Sequence, residues 1–360
     1  MIGPLRDWYR GRRVFVTGHT GFKGAWLVAW LRDMGAEVTG YALAPEPDRP
    51  SLFAAARVAD DMTSILGDVR DAAALERALA EARPEIVLHL AAQALVRRSY
   101  ADPIGTYATN VMGTAHLLDA VRRVPTVRAV VVVTSDKCYE NRDLPRGYRE
   151  DDPMGGDDPY SSSKGCAELV TAAMRRSYFA GNVGVASVRA GNVIGGGDWS
   201  EDRLVPDLMR AAAAGERALV RRPDAVRPWQ FVLEPLRGYL FVARALIEEG
   251  EPYAEGWNFG PRDADAVPVR ELVRLARAAW DRVVVDVAPV PEGPHEAARL
   301  ELDHTKATER LAWRPVLSLA ETIELTVAWY RAHAEDPSRA ATLLREQLHA
   351  YERRVAAASA

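Results

Sequence analysis

Short apolar runs alternate with longer amphipathic stretches over the first 190 residues. Arg13-Val14-Phe15-Val16-Thr17 predicts a strand, followed by a glycine turn and a helical pattern from about Ala25 to Met34. Glu37 to Leu43 predicts a second strand. Ser64 to Asp71 predicts a third, leading into a helix near Ala72 to Ala82. Glu85 to Gln93 predicts a buried fourth strand ending in small residues, and a long amphipathic helix follows over roughly Ile104 to Arg123. Val127 and Ala129 to Val133 make a nearly pure apolar run, the pattern of a strand buried on both faces of a parallel sheet. A Gly/Asp-rich loop, a helix headed by Pro159 and a strand over Val183 to Arg189 complete the series.

This alternation predicts an α/β fold, a doubly wound parallel sheet of the Rossmann type. Beyond residue 190 the pattern breaks into a glycine-rich loop, Gly191 to Trp199, a strand headed by Arg227-Pro228-Trp229, and four helical stretches. Those helices fall near Pro235–Glu249, Val269–Ala279, Leu319–Ala334 and Ser338–Arg354. We therefore expect a dinucleotide-binding domain over 1–190, with 230–257 returning to it. A smaller, mixed α/β C-terminal lobe for the substrate is expected over 191–229 and 258–360.

Composition narrows the classes. A chain of 360 residues, 48% hydrophobic, can bury a full core. Net charge of −4 argues for neither nucleic acid nor an anionic membrane as partner. The polar start, Met1 to Arg13, is no signal peptide, and no apolar run reaches about 18 residues. Cys138 and Cys166 form no disulfide framework and have no metal-ligand spacing. The expectation is a cytoplasmic protein without a metal. Of 46 basic residues only Lys23, Lys137, Lys164 and Lys306 are lysine. A chain that takes arginine wherever a charge suffices points, at its lysines, to chemistry needing a compact, titratable ammonium. For Lys306 we prefer chance placement.

Gly18-His19-Thr20-Gly21-Phe22-Lys23-Gly24, between strand and helix, has the make-up of a dinucleotide-phosphate site. The glycines admit the pyrophosphate, and the helix N-terminus supplies N–H groups. Lys23 either reaches cofactor phosphate or decorates the helix N-terminus. The second strand lacks the terminal acid that grips an adenosine ribose, so it does not decide NAD against NADP. Asp68, followed by Val69, either meets the adenine edge or caps a helix. Ala91, Ala92 and Gln93 end the fourth strand where a flat ligand would lie close, whereas His89 within it reads as a packed core histidine. Tyr160 and Lys164, four apart, share a helix face, and a cation beside a phenol favours its phenolate. Arginines around loops, Arg203, Arg221, Arg222 and Arg227, suit either a diphosphate or solvated surface.

Together these residues resemble the extended short-chain dehydrogenase/reductase family over nearly the whole chain. Within it the likeness is to the nucleotide-sugar 4,6-dehydratase branch, CDP-glucose subfamily. GHTGFKG at 18–24, TSDKCYEN at 134–141, DPYSSSKGCAEL at 158–169, RAGNVIGGGDW at 189–199, RPWQFVLEP at 227–235 and GWNFG at 256–260 carry it. The resemblance implies NAD recycled on the enzyme rather than NADP, a sugar-nucleotide substrate, and a homodimer joined through the helices near Ile104–Arg123 and Tyr160–Tyr178. It implies that Tyr160 takes the sugar 4-hydroxyl proton with Ser135 on the same oxygen, while Lys164 lowers the tyrosine pKa. Asp136 protonates the 6-hydroxyl leaving group. Lys137 stands where the dTDP-glucose enzymes have a glutamate base; it either removes the C5 proton or orders the loop through a carboxylate such as Glu140. Arg189, Asn192, Arg203 and Arg227 are expected on the sugar nucleotide. His295 lies either near its diphosphate or in a surface turn. Two readings compete. A 4-epimerase, or a dehydratase for a dTDP- or GDP-sugar, shares the frame, although Asp136 argues against the epimerase. A non-catalytic regulator is opposed by the presence of Ser135, Tyr160 and Lys164 together.

Overall fold

The computed structural model describes residues 2–288 and 300–358. The twelve strands among the described residues are β1 Arg13–Thr17, β2 Glu37–Ala42, β3 Thr63–Leu66, β4 Ile86–His89, β5 Ala129–Val133 and β6 Gly184–Ala190, then β7 Asn192–Ile194, β8 Arg217–Val220, β9 Val226–Phe231, β10 Gly256–Phe259, β11 Ala266–Pro268 and β12 Val284–Val287. Seven of them form one parallel sheet in the order β10-β6-β5-β4-β1-β2-β3. The chain reverses its winding between β1 and β4, so the ends of those two strands diverge and leave a crevice.

Strand alternation divides the core. Val14, Val16, Leu88, Val131 and Val133 face one side, with the helix Phe22–Asp33 and the helix Leu233–Glu248. Phe15, Val87, Val130, Val132 and Val185 face the other, with the helices Ala72–Ala82 and Gly113–Val121. Beyond the sheet, β11, β9 and β7 form a three-stranded sheet, and β12 pairs β8. The last helix, Ala340–Ala358, crosses back onto the Phe22–Asp33 helix, where the Tyr351 ring meets Trp30 edge-on.

Residues Ile2–Tyr9 form a helix, because Leu5 and Tyr9 are fully buried and the Tyr9 hydroxyl donates to the Leu240 carbonyl at 2.9 Å. Two local expectations are corrected. The third strand stops at Leu66, since the chain turns at Gly67, where any Cβ would strike the Tyr41 ring at 2.4 Å. The long helix is interrupted by a π-helical turn over Ala108–Met112. Asn110 stands at its centre. The buried amide of Asn110 accepts from Gln93 N at 2.8 Å and donates to the Gln93 carbonyl and to Ser163 Oγ, tying the β4 end to the Pro159–Tyr178 helix.

Candidate active site

The crevice begins at Gly18, which leaves β1 with φ +76° and lies against the backbone leaving β4. A Cβ there would sit 2.6 Å from Ala91 N, and one on Gly24 would sit 2.1 Å from the Gly18 carbonyl oxygen. Gly21 begins the Phe22–Asp33 helix with no side-chain cap, so the first N–H groups face the groove. A groove of about 370 Å³ runs from here past Leu43, Glu46, Ala92, Gln93 and Trp199. Phe22 reaches across it toward Gly195. Glycines at the closest approach, an open helix end and a groove at the winding reversal fit a dinucleotide.

Two residues expected on the cofactor turn elsewhere. The His19 ring is fully buried behind the loop, bonded through Nε2 to Ser64 Oγ at 2.7 Å and edge-on to Phe53. It fills the space beside Gly40, and burial pushes it down to about 4, so it stays neutral. The expectation that the His19 side chain meets cofactor is therefore corrected. Val69 is likewise packed, against Gly113. Asp68 caps no helix; Asp71 does that, accepting from Ala74 N. The Asp68 carboxylate is held by Arg70 at 2.6 and 2.9 Å, which keeps it below the usual carboxylate range. His89 is a core residue, bonded to Thr17 and Thr114.

At the β5 end, Thr134 leads into one turn of 3₁₀ helix, Asp136–Cys138. Ser135 Oγ donates to Asp136 Oδ1 at 2.8 Å, and Lys137 N donates weakly to Ser135 Oγ at 3.3 Å. Asp136 is buried against the Gly191 loop, and desolvation raises its carboxyl, opposed by Lys137 and Ser135. Half-buried Lys137 makes no side-chain hydrogen bond or ion pair among the described residues, while Glu140 pairs with Arg142 instead.

Asp158 caps the next helix, accepting from Ser161 N at 2.9 Å, and Pro159 fixes its first position. This places Tyr160 and Lys164 beside the β5 turn. Burial pushes the Tyr160 phenol up, to about 12, against the Ser135 hydroxyl and the Arg203 charge, which pull it down. Burial pushes Lys164 down to about 8, although Glu168 raises it, and its ammonium donates to the Val133 carbonyl at 3.2 Å. Lys23 joins the same cluster. Burial, Arg203 and Lys164 push it down to about 7, against Asp136 and Asp198.

Of the residues expected on the sugar nucleotide, Arg189 is corrected. Its guanidinium donates two buried hydrogen bonds to Glu168, each 2.8 Å, and one to the Tyr139 hydroxyl at 2.5 Å. Nothing of it is left for a phosphate. Arg203 pairs with buried Asp198 at 3.2 Å at the rim of the crevice. Asn192 lies half-buried on β7 opposite Trp229, and Arg227 on β9 donates to the Val226 carbonyl. His295 lies outside the described residues. Sequence reasoning missed the roles of Glu168, Tyr139 and Asn258, all inside quoted motifs. The spacing of Glu168 four residues after Lys164 was the available signal. Lys306 is structural, over the Trp257 ring and paired with Glu255. No group of three His, Cys, Asp or Glu suited to a metal occurs among the described residues.

The family model for GDP-mannose 4,6 dehydratase matches residues 15–326. The chain belongs to the GDP-mannose 4,6-dehydratase family. It is 53% identical over 333 residues to CDP-glucose 4,6-dehydratase of Salmonella typhimurium, covering 91% of this chain and 92% of that relative. UDP-glucose 4-epimerase of Thermus thermophilus, solved as its NAD complex, matches with TM-score 0.75 and 26% identity, covering 89% of this chain and 99% of that one. dTDP-glucose 4,6-dehydratase of Bacillus anthracis, also solved with NAD, shares the fold with TM-score 0.75 at 21% identity, over 90% and 97% of the two chains.

Proposed function

We propose that this chain is an NAD-dependent CDP-glucose 4,6-dehydratase, a hydro-lyase that forms CDP-4-dehydro-6-deoxy-D-glucose for deoxysugar biosynthesis. The observation that carries the reading is the buried Ser135–Asp136 pair, 2.8 Å apart, on the turn beside Tyr160 and Lys164. An alcohol dehydrogenase needs a proton acceptor and an orienting hydroxyl. A carboxyl whose proton affinity is raised by burial is what a C6 hydroxyl needs in order to leave as water.

Tyr160 takes the 4-hydroxyl proton, and Ser135 holds that oxygen. With C4 a ketone, the C5 proton becomes acidic; Lys137 removes it and Asp136 protonates the departing 6-hydroxyl. Gly18–Gly24 and Ala91–Gln93 would hold NAD, which when bound would supply the hydride acceptor for C4 and the donor for C6. Arg203, Arg227 and Asn192 supply the cationic and polar rim for the nucleotide diphosphate. The test is incubation with CDP-glucose and catalytic NAD, with 4-keto product measured by its absorbance in alkali. Turnover of a dTDP- or GDP-sugar without turnover of CDP-glucose would sink the substrate and leave the reaction class.

A homodimer fits the same frame. Tyr100, Ile104, Met112, Leu169 and Tyr178 are large, apolar and exposed on the neighbouring helices between Val96 and Val121 and along Pro159–Tyr178. Light scattering giving a monomer at working concentration would remove it. No helix among the described residues is long and apolar enough to cross a membrane. With two free cysteines and a nucleotide-sugar substrate, the cytoplasm is the compartment we infer.

A further inference from the structure

Glu168 lies one helical turn beyond Lys164 on the same face, with its carboxylate saturated. It accepts from Thr134 Oγ1 and Ser187 Oγ, each at 2.5 Å, and from Arg189 Nε and Nη2, each at 2.8 Å. Arg189 is held in turn by the Tyr139 hydroxyl and the Glu150 carbonyl, and Tyr139 donates to Asn258 Oδ1 at 2.8 Å. Gly256 is where the guanidinium passes: a Cβ there would lie 2.4 Å from Arg189 Nη2. The pair thus ties the catalytic turn, the Tyr160 helix, β6 and β10 together. Stability alone is a weak account of it, since replacing a buried ion pair by apolar residues of similar volume is often neutral or stabilising. What an apolar pair lacks is a negative charge next to Lys164.

We propose that Glu168, kept ionised by Arg189, is a positioning residue that keeps Lys164 protonated in the working pH range. The proposal rests on the reading that a protonated Lys164 lowers the pKa of Tyr160. The groups acting on Lys164 are Glu168 on its own helix, Cys138 from the catalytic turn, Lys23 from the glycine loop and His89 from β4. Burial keeps the Cys138 thiol and the His89 ring neutral, and Lys23 repels. Of these, the Glu168 carboxylate alone is negative. Burial would raise it, but Arg189 and the two hydroxyls hold it below its ordinary value.

The sign follows. If the protonated amine is the working form, activity falls as pH rises through its pKa. Removing the Glu168 charge lowers that pKa and brings the fall forward. With NAD and CDP-glucose saturating, E168Q should move the alkaline limb of kcat down by about one pH unit while KM for the sugar nucleotide stays near wild type. A second readout needs no turnover. The pH midpoint for reductive methylation of Lys164 by formaldehyde and cyanoborohydride, read by peptide mass spectrometry in the cofactor-free protein, should fall likewise. Unchanged limb and unchanged midpoint overturn the proposal. If E168Q fails to fold, the E168Q/R189M double variant, which strands no buried charge, carries the same measurements. A fully active K164M would instead overturn the catalytic reading of Lys164.

Discussion

Two polar clusters share the Pro159–Tyr178 helix, and their proton affinities are displaced in opposite senses. In the crevice every shift favours the neutral form: Asp136 and Tyr160 are raised, and Lys23 and Lys164 are lowered. One turn along, the Glu168–Arg189 pair is shifted toward the charged form: Glu168 is lowered and Arg189 raised. Both clusters are buried, so burial does not separate them. Pairing does. Lys23 and Lys137 make no side-chain hydrogen bond among the described residues, whereas the Glu168–Arg189 pair is met on every side. A buried group left without a partner is one a ligand can complete.

Substitutions separate the two clusters by what they cost. Tyr160→Phe should lower kcat by about 10³-fold with the unfolding midpoint unchanged or raised. Turnover within ten-fold of wild type would break the contrast from the crevice side. Arg189→Met should cost about 4 kcal/mol of stability, seen in denaturant midpoints, because Glu168 is left buried and charged. A loss of activity at unchanged stability would return Arg189 to the substrate. Asp136→Asn should lower dehydration by about 10²-fold while reduced cofactor accumulates, which its near-ultraviolet absorbance would report.

Lys23→Met should raise the melting temperature of the cofactor-free protein. The folded lysine titrates near 7 and the unfolded one near 10.5. Its penalty is therefore complete below pH 7 and fades as the pH climbs from 7 to 10.5. The gap between wild type and variant should narrow over that window; a gap that widens would mean the amine gains a partner on folding. Lys306→Met should cost only about 1 kcal/mol, with activity intact.

The parallel sheet was legible because a buried parallel strand writes itself as an uninterrupted apolar run, as Ala129–Val133 does. Gly18, Gly24 and the Tyr160–Lys164 spacing were legible for the same kind of reason: each is a local constraint between residues close in sequence. What escaped depends on contacts between distant residues. Arg189 reads as a free cation until Glu168 and Tyr139 are seen against it. His19 sits in a cofactor motif, yet its direction is decided by Gly40 and Ser64 on other strands. The N-terminal helix depends on Leu240, far along the chain, to satisfy Tyr9.

The π-helical turn at Ala108–Met112 has a consequence for how this chain can vary. It holds one residue more than a regular helix would, and an α-helix advances about 100° per residue. Deleting a single residue there would give a regular helix whose flanking turns keep their present directions. The change would fall on Asn110, which would lose Gln93 or Ser163. The widened turn thus carries one amide across to the β4 end and the Pro159–Tyr178 helix without re-aiming the rest of the helix.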